Sequence, residues 1–194
     1  IDPIKAMFND AWFPQAFHMT VAAFAATGFA VAGIHALMIL KKRNVNFHTK
    51  AFRISAGFAI IGALLAPISG DVAAKSVAVR QPIKLAAMEA HFETEKGASF
   101  VIGGIPDEEN EQIKYAIKVP KVLSFLAWGD FDAEVKGLKD FPKDHWPPVA
   151  VVHYAFQIMI FFGSVMMLIG FIYLIATFWK KEWLSLIHIS EPTR

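Results

Sequence analysis

Four side chains carry the chemistry this sequence offers. His18 and Met159 bring one imidazole nitrogen and one thioether sulfur, the donor set of an axially ligated redox iron. Lys84 and Glu89 bring a hydrogen-bond donor and a general base. The chain has no cysteine, so disulfides, iron–sulfur clusters and thiolate zinc sites are excluded. Any metal chemistry must use histidine, methionine or carboxylate. Of seven histidines, His48, His91 and His145 lie in polar segments and read as solvated, and His188 lies in the terminal tail. His18, His35 and His153 lie in or beside apolar runs, where an ionisable residue is a functional hypothesis by default.

The elements that must position these groups follow from the hydropathy pattern. The 194 residues are 55% hydrophobic with a mean hydropathy of +0.42, above the usual soluble composition. The excess sits in three runs, 17–40, 54–70 and 147–179. Each approaches or exceeds the roughly 20 apolar residues needed to cross a bilayer core, and none shows the polar stripe of a soluble helix. The predicted fold is all-α, a fragment of a multi-pass transmembrane helix bundle with an extracytoplasmic loop. A net charge of +2 gives no argument for nucleic acid. The partners implied so far are a lipid bilayer and other helices.

Charge sets the direction. Residues 41–53 hold Lys41, Lys42, Arg43, Lys50 and Arg53 without an acid, and Lys180 and Lys181 follow the third run. Both ends are expected on the cytoplasmic side. Residues 71–146 hold thirteen acids and ten bases, a net −3, and are expected outside. The spans then run inward, outward and inward, after an outer lead-in at 1–16. Trp146, Trp179 and Trp183 sit at span ends, as an aromatic belt requires. Small residues such as Gly28, Gly33, Gly57 and Gly62 suit close helix packing in lipid. The chain starts at Ile1, and the last eleven residues, 184–194, resemble the in-frame translation of a transposon-based sequencing adapter. The natural sequence is therefore expected to stop near the cytoplasmic end at 180–183.

Depth selects among the intramembrane ligands. His18 precedes Lys41 by 23 residues and Met159 precedes Lys180 by 21. At about 1.5 Å per residue, both lie roughly 32–35 Å above the inner boundary, near the outer face. At a common depth, a neutral imidazole and a thioether suit a low-spin haem. The plainer readings are a hydrogen-bonded histidine at a helix start and a gap-filling methionine. His153, 27 residues before Lys180, falls outside the hydrocarbon. His35, near the inner end of its span, reads as a hydrogen-bond partner for a neighbouring helix or as a proton relay.

In the outer segment, residues 84–89 form a good helix with an apolar stripe at Leu85, Met88 and Phe92. Lys84 and Glu89 are five apart, too far for a tight ion pair, but both could line one mouth. A quinol headgroup needs a hydrogen-bond partner at each oxygen and a base for its protons. The alternative is two solvated surface charges. Gly103-Gly104 and Pro106-Asp107 mark turns. The acids at 107–111 read as a solvated loop, with a cation site as the alternative.

These residues resemble a known family. Gly70-Asp71, the string Gln81-Pro-Ile-Lys84-Leu-Ala-Ala-Met-Glu89-Ala90, Gly104-Ile-Pro-Asp107 and Lys114-Tyr-Ala-Ile-Lys-Val-Pro120 resemble the quinol loop of subunit I of cytochrome bd-type ubiquinol oxidases, in its short-loop branch. Phe17-His18-Met-Thr and Ala155-Phe-Gln-Ile-Met159 match the same family. The resemblance implies that His18 and Met159 are the axial ligands of a low-spin haem b and that Lys84 and Glu89 contact quinol. It further implies a high-spin haem b and a haem d elsewhere in the subunit, a second membrane subunit, ubiquinol or menaquinol as substrate, and a bacterial or archaeal cytoplasmic membrane. Oxygen would be reduced to water and a proton gradient built. Many members carry Arg two residues before the Met ligand, where this chain has Gln157. That change is expected to leave the oxidised haem less destabilised. Two other readings stay open from the residues alone. One is a quinol-linked b-type membrane cytochrome that is not an oxidase; the other is a transporter or channel subunit.

Overall fold

The computed structural model describes residues 2–179. The expected cytoplasmic end at 180–183, with Trp183, and the terminal stretch 184–194, with His188, lie outside the described residues. Among the described residues, six α-helices run in chain order: α1 (Pro3–Met7), α2 (Trp12–Leu40), α3 (Val45–Arg80), α4 (Pro82–Glu89), α5 (Val122–Trp128) and α6 (Val149–Trp179). Three of them, α2, α3 and α6, are long and apolar enough to cross a membrane. The chain divides into two compact units. Among the described residues, one comprises 19–67 and 163–179, the other 2–18 and 68–162.

In the first unit, α2 and α3 meet through small residues. A Cβ on Gly28 would fall 2.7 Å from the Ala59 backbone nitrogen, and one on Gly62 would fall 2.7 Å from that of Ala25. Only glycine permits this approach, and Ala25, Ala59 and Ala63 are buried beside it. Gly33 and Gly57 have open space instead, so they have no part in this close contact. His35 and His48 bring their Nδ1 atoms to 2.8 Å. This is the neighbour-helix hydrogen bond considered for His35, and it makes His48 half-buried rather than solvated.

The α3 helix extends well past the apolar run at 54–70, from Val45 to Arg80. It stops at Arg80 because Pro82 disfavours helical dihedrals at Gln81, which adopts φ −139° and ψ 59°.

The second unit corrects the all-α expectation. Six short strands pair antiparallel in twos: β1 (Glu95–Lys96) with β6 (Glu134–Val135), β2 (Phe100–Ile102) with β5 (Ile117–Val119), and β3 (Ile105–Asp107) with β4 (Gln112–Lys114). Gly103 and Gly104 take φ of +67° and +98°, which turns the chain between β2 and β3 as few other residues could. Strands of two or three residues are too short to show a period-two pattern, which is why the segment did not read as β. Two apolar clusters hold the unit together. One is Ala78, Leu85, Ala98, Leu123, Ala127 and Val135. The other is Ala86, Ala87, Ala90, Phe92, Leu138 and Val149. Ser124 ties the first cluster, accepting from the Ala98 N–H and donating to the Ala133 carbonyl, both at 2.7 Å.

Candidate active site

The site residues sit on α4 and on the elements packed around it. Pro82 pre-sets the first turn of α4, where its missing N–H is no loss. The helix ends at Ala90, which takes a left-handed conformation with φ 47° and sends its N–H back to the Ala86 and Ala87 carbonyls. Along these eight residues Leu85, Ala86, Ala87 and Glu89 are buried, while Lys84 is exposed. Five positions on a helix are roughly 140° apart. The pair expected at one mouth therefore divides, Lys84 toward solvent and Glu89 into the fold.

Glu89 is 1% exposed. Its Oε2 accepts a hydrogen bond of 3.0 Å from the Val101 N–H in β2. Burial pushes its carboxyl up from 4.5 to about 8, and the Val101 bond offsets only part of this. A carboxyl in that range exchanges a proton near neutral pH, as a general base for a weakly acidic hydroxyl should.

The start of α6 grips the same strand. Gln157 donates from Nε2 to the Val101 carbonyl at 2.8 Å and accepts at Oε1 from the Gly103 N–H at 3.1 Å. One turn earlier His153, fully buried, sets Nδ1 2.8 Å from the Met88 carbonyl and Nε2 3.2 Å from the Gly103 carbonyl. Val101 is thus held on both sides, by Glu89 at its N–H and Gln157 at its carbonyl. Composition and spacing gave no sign of this clamp. Gln157 stood out only as a departure from the family's Arg.

Of the proposed metal ligands, His18 is half-buried and places Nδ1 3.0 Å from Ser69 Oγ. With Nδ1–H donating to Ser69, the Nε2 lone pair is left for a metal, the usual outer-shell arrangement. Gly70 stands beside the ring: a Cβ there would come within 3.7 Å of His18 Cε1. The Met159 side chain on α6 is 51% exposed, so core packing does not enclose its sulfur. These donors fit a haem iron of His–Met type.

Three of the four acids at 107–111, Asp107, Glu108 and Glu111, are engaged by protein partners. Asp107 pairs with Lys114 at 2.6 Å and accepts from Asn110, and those bonds hold it well below the usual carboxylate range. Glu111 meets Lys139 and Lys143, and Glu108 accepts from the Ala150 N–H. Among the described residues no group of three or more His, Asp or Glu side chains could hold a metal ion. His145 is exposed, as expected. His91, expected in solvent, is instead 8% exposed, because the turn after α4 carries it beneath the strands.

The model of the family described as cytochrome bd terminal oxidase subunit I matches residues 1–193. This chain belongs to that family. It is 37% identical over 185 residues to a Bacillus subtilis (strain 168) protein provisionally named cytochrome bd menaquinol oxidase subunit I, covering 93% of this chain and 41% of the relative. It is 33% identical over 147 residues to the Escherichia coli (strain K12) cytochrome bd-II ubiquinol oxidase subunit 1, covering 74% and 28%. Its fold matches the solved bd oxidase from Geobacillus thermodenitrificans with a TM-score of 0.85 at 35% identity, covering 94% of this chain and 42% of that one. The chain thus spans about two fifths, or less, of these family members.

Proposed function

We propose that this chain is the quinol-oxidising, low-spin-haem-b-binding part of a bd-type terminal oxidase, set in a bacterial or archaeal cytoplasmic membrane with residues 71–146 on the outer side. The observation that carries the reading is Glu89: a buried carboxyl, held near neutral by burial and fixed by one backbone bond. Glu89 accepts a proton from the quinol, and Lys84, on the exposed side of the same short helix, supplies a cationic hydrogen-bond donor on the quinol's approach. His18 and Met159 offer the axial nitrogen and sulfur, and Ser69 orients the imidazole. Haem b held there supplies one-electron redox chemistry. In the complete complex, a high-spin haem b, a haem d and a second membrane subunit serve the reduction of oxygen to water. Proton release on the outer side builds a gradient. Family membership favours this reading over a b-type cytochrome that is not an oxidase and over a transporter subunit.

The test uses the complete oxidase in membranes. Reduced-minus-oxidised visible spectra are recorded for the unaltered protein, His18→Ala and Met159→Leu. Loss of the low-spin b band in both variants, with the protein inserted, is expected. An unchanged band in either removes that residue from the ligand set. Absence of any haem signal in the unaltered complex overturns the reading altogether.

A further inference from the structure

His153, near the start of α6, is fully buried. Its Nδ1 lies 2.8 Å from the Met88 carbonyl oxygen, and its Nε2 lies 3.2 Å from that of Gly103. A carbonyl oxygen accepts and never donates. A neutral imidazole has one N–H and one bare lone pair. It would satisfy one carbonyl and turn its lone pair on the other, a costly arrangement where no water replaces the missing bond. Only the imidazolium, with an N–H on each nitrogen, satisfies both partners.

The surroundings suit a cation. Met88 lies in the last turn of α4, where carbonyls lack intrahelical partners and the helix dipole favours positive charge. Glu89, 1% exposed, follows Met88 directly, so a buried acid and this buried imidazole share one helix end. On α6, the Tyr154 ring centroid lies 5.9 Å from the imidazole. Beyond the Gly103 turn, Asp107 in β3 is already paired with Lys114, and Glu108 accepts from the Ala150 N–H.

The two bonds of His153 also complete a closed ring. From Met88 the ring passes through His153 to the Gly103 carbonyl. The Gly103 N–H donates to Gln157, and Gln157 donates to the Val101 carbonyl. The Val101 N–H donates to Glu89 Oε2. The Met88–Glu89 peptide bond closes the circuit. Every link is a bond of 2.8–3.2 Å, so the Glu89 side chain and its own backbone are held from opposite ends of one network.

We propose that His153 is held as a buried imidazolium and is a positioning residue of the quinol site, its two N–H groups closing the ring that fixes the Glu89 carboxyl. His153 acts through Met88 and Gly103 and touches no reacting atom. Losing either N–H opens the ring, frees the end of α4 from the β2–β3 turn and loosens the carboxyl.

The role in catalysis rests on the quinol-oxidising reading; the charge on His153 does not, and the test separates them. The complete oxidase in membranes is labelled with ¹⁵N in histidine and with ¹³C in the carbonyls of methionine and glycine. Solid-state NMR should show an imidazole with both nitrogens protonated at neutral pH, one near a methionine carbonyl and the other near a glycine carbonyl. That pair of neighbours identifies His153 without a variant. A bare nitrogen on this imidazole overturns the proposal. His153→Gln retains one side-chain donor group in place of two. With the low-spin band intact, its quinol turnover should fall about tenfold, the worth of about one charge-assisted hydrogen bond. Its Glu89 carboxyl infrared band, identified by its loss in Glu89→Gln, should shift and broaden. An unchanged band with unchanged turnover overturns the positioning role. Should His153→Gln fail to insert, His153→Asn is read by the same band and turnover. If the unaltered complex oxidises no quinol, the functional reading fails, while the NMR spectrum still decides the charge on His153.

Discussion

Glu89→Gln is the most informative single change, because it keeps the shape and removes the proton chemistry. The glutamine carbonyl can still accept from the Val101 N–H that now meets Oε2 at 3.0 Å. One pKa unit is about 1.4 kcal/mol, so raising the carboxyl from 4.5 to about 8 corresponds to about 5 kcal/mol. The folded chain binds this proton more tightly than the unfolded chain does. The stabilising contribution is therefore complete below pH 4.5, declines as pH rises, and is gone once pH passes through about 8. The variant lacks this dependence. Its thermal midpoint in detergent should match the unaltered complex near pH 4.5 and exceed it increasingly toward pH 8. In infrared difference spectra, the protonated-carboxyl band lost in Glu89→Gln should titrate in the unaltered protein with a midpoint of about 8. Quinol turnover should drop about 10²–10⁴-fold, the usual contribution of a positioned general base. A carboxyl band that titrates at the ordinary value of 4.5 would refute the reasoning, since the burial on which it depends would then be wrong.

Further outcomes follow from the same geometry. Gln157→Leu removes both side-chain bonds to β2 and strands the carbonyl of buried Val101, so a loss of about 1–3 kcal/mol is expected. It should appear as a lower thermal midpoint and a raised KM for quinol, with the low-spin band retained. Gly28→Ala places a Cβ 2.8 Å from the Ala59 Cα and should cost about 1–3 kcal/mol through overpacking. Gly57→Ala, with nothing within 4 Å, should be neutral or gain up to about 1 kcal/mol from helix propensity. Paired thermal melts check both. Lys84→Ala should leave stability within about 0.5 kcal/mol, as expected of an exposed side chain, while raising the quinol KM in steady-state assays.

The sequence by itself determined the parts that depend on composition along one helix. Three uncharged runs declare three helices able to cross a membrane, because lipid leaves a spanning segment no polar face. The Lys84–Glu89 segment was legible as a helix, and its motifs with those around His18 and Met159 were enough to indicate the family. Gly28 and Gly62 were legible as packing residues, although nothing in the string separates them from Gly33 and Gly57. That distinction needs the partner helix, since a glycine is used only where another backbone arrives.

The tertiary structure decided everything that depends on which face is covered. Lys84 and Glu89 look alike in the string, and only packing of the alanine face of α4 buries one and exposes the other. The pKa of Glu89 follows from that burial, so it could not be read earlier. His91 was expected in solvent because its neighbours are charged. The left-handed turn at Ala90 and the strands that follow carry it inside. Gln157 and His153 looked like ordinary helix residues until β2 and α4 supplied the backbone groups they hold. Such bonds join positions 50 to 65 residues apart, and no local periodicity encodes them. Hydrophobic pattern fixes where a helix lies, but the field at a titratable group comes from whichever distant segment the fold brings against it.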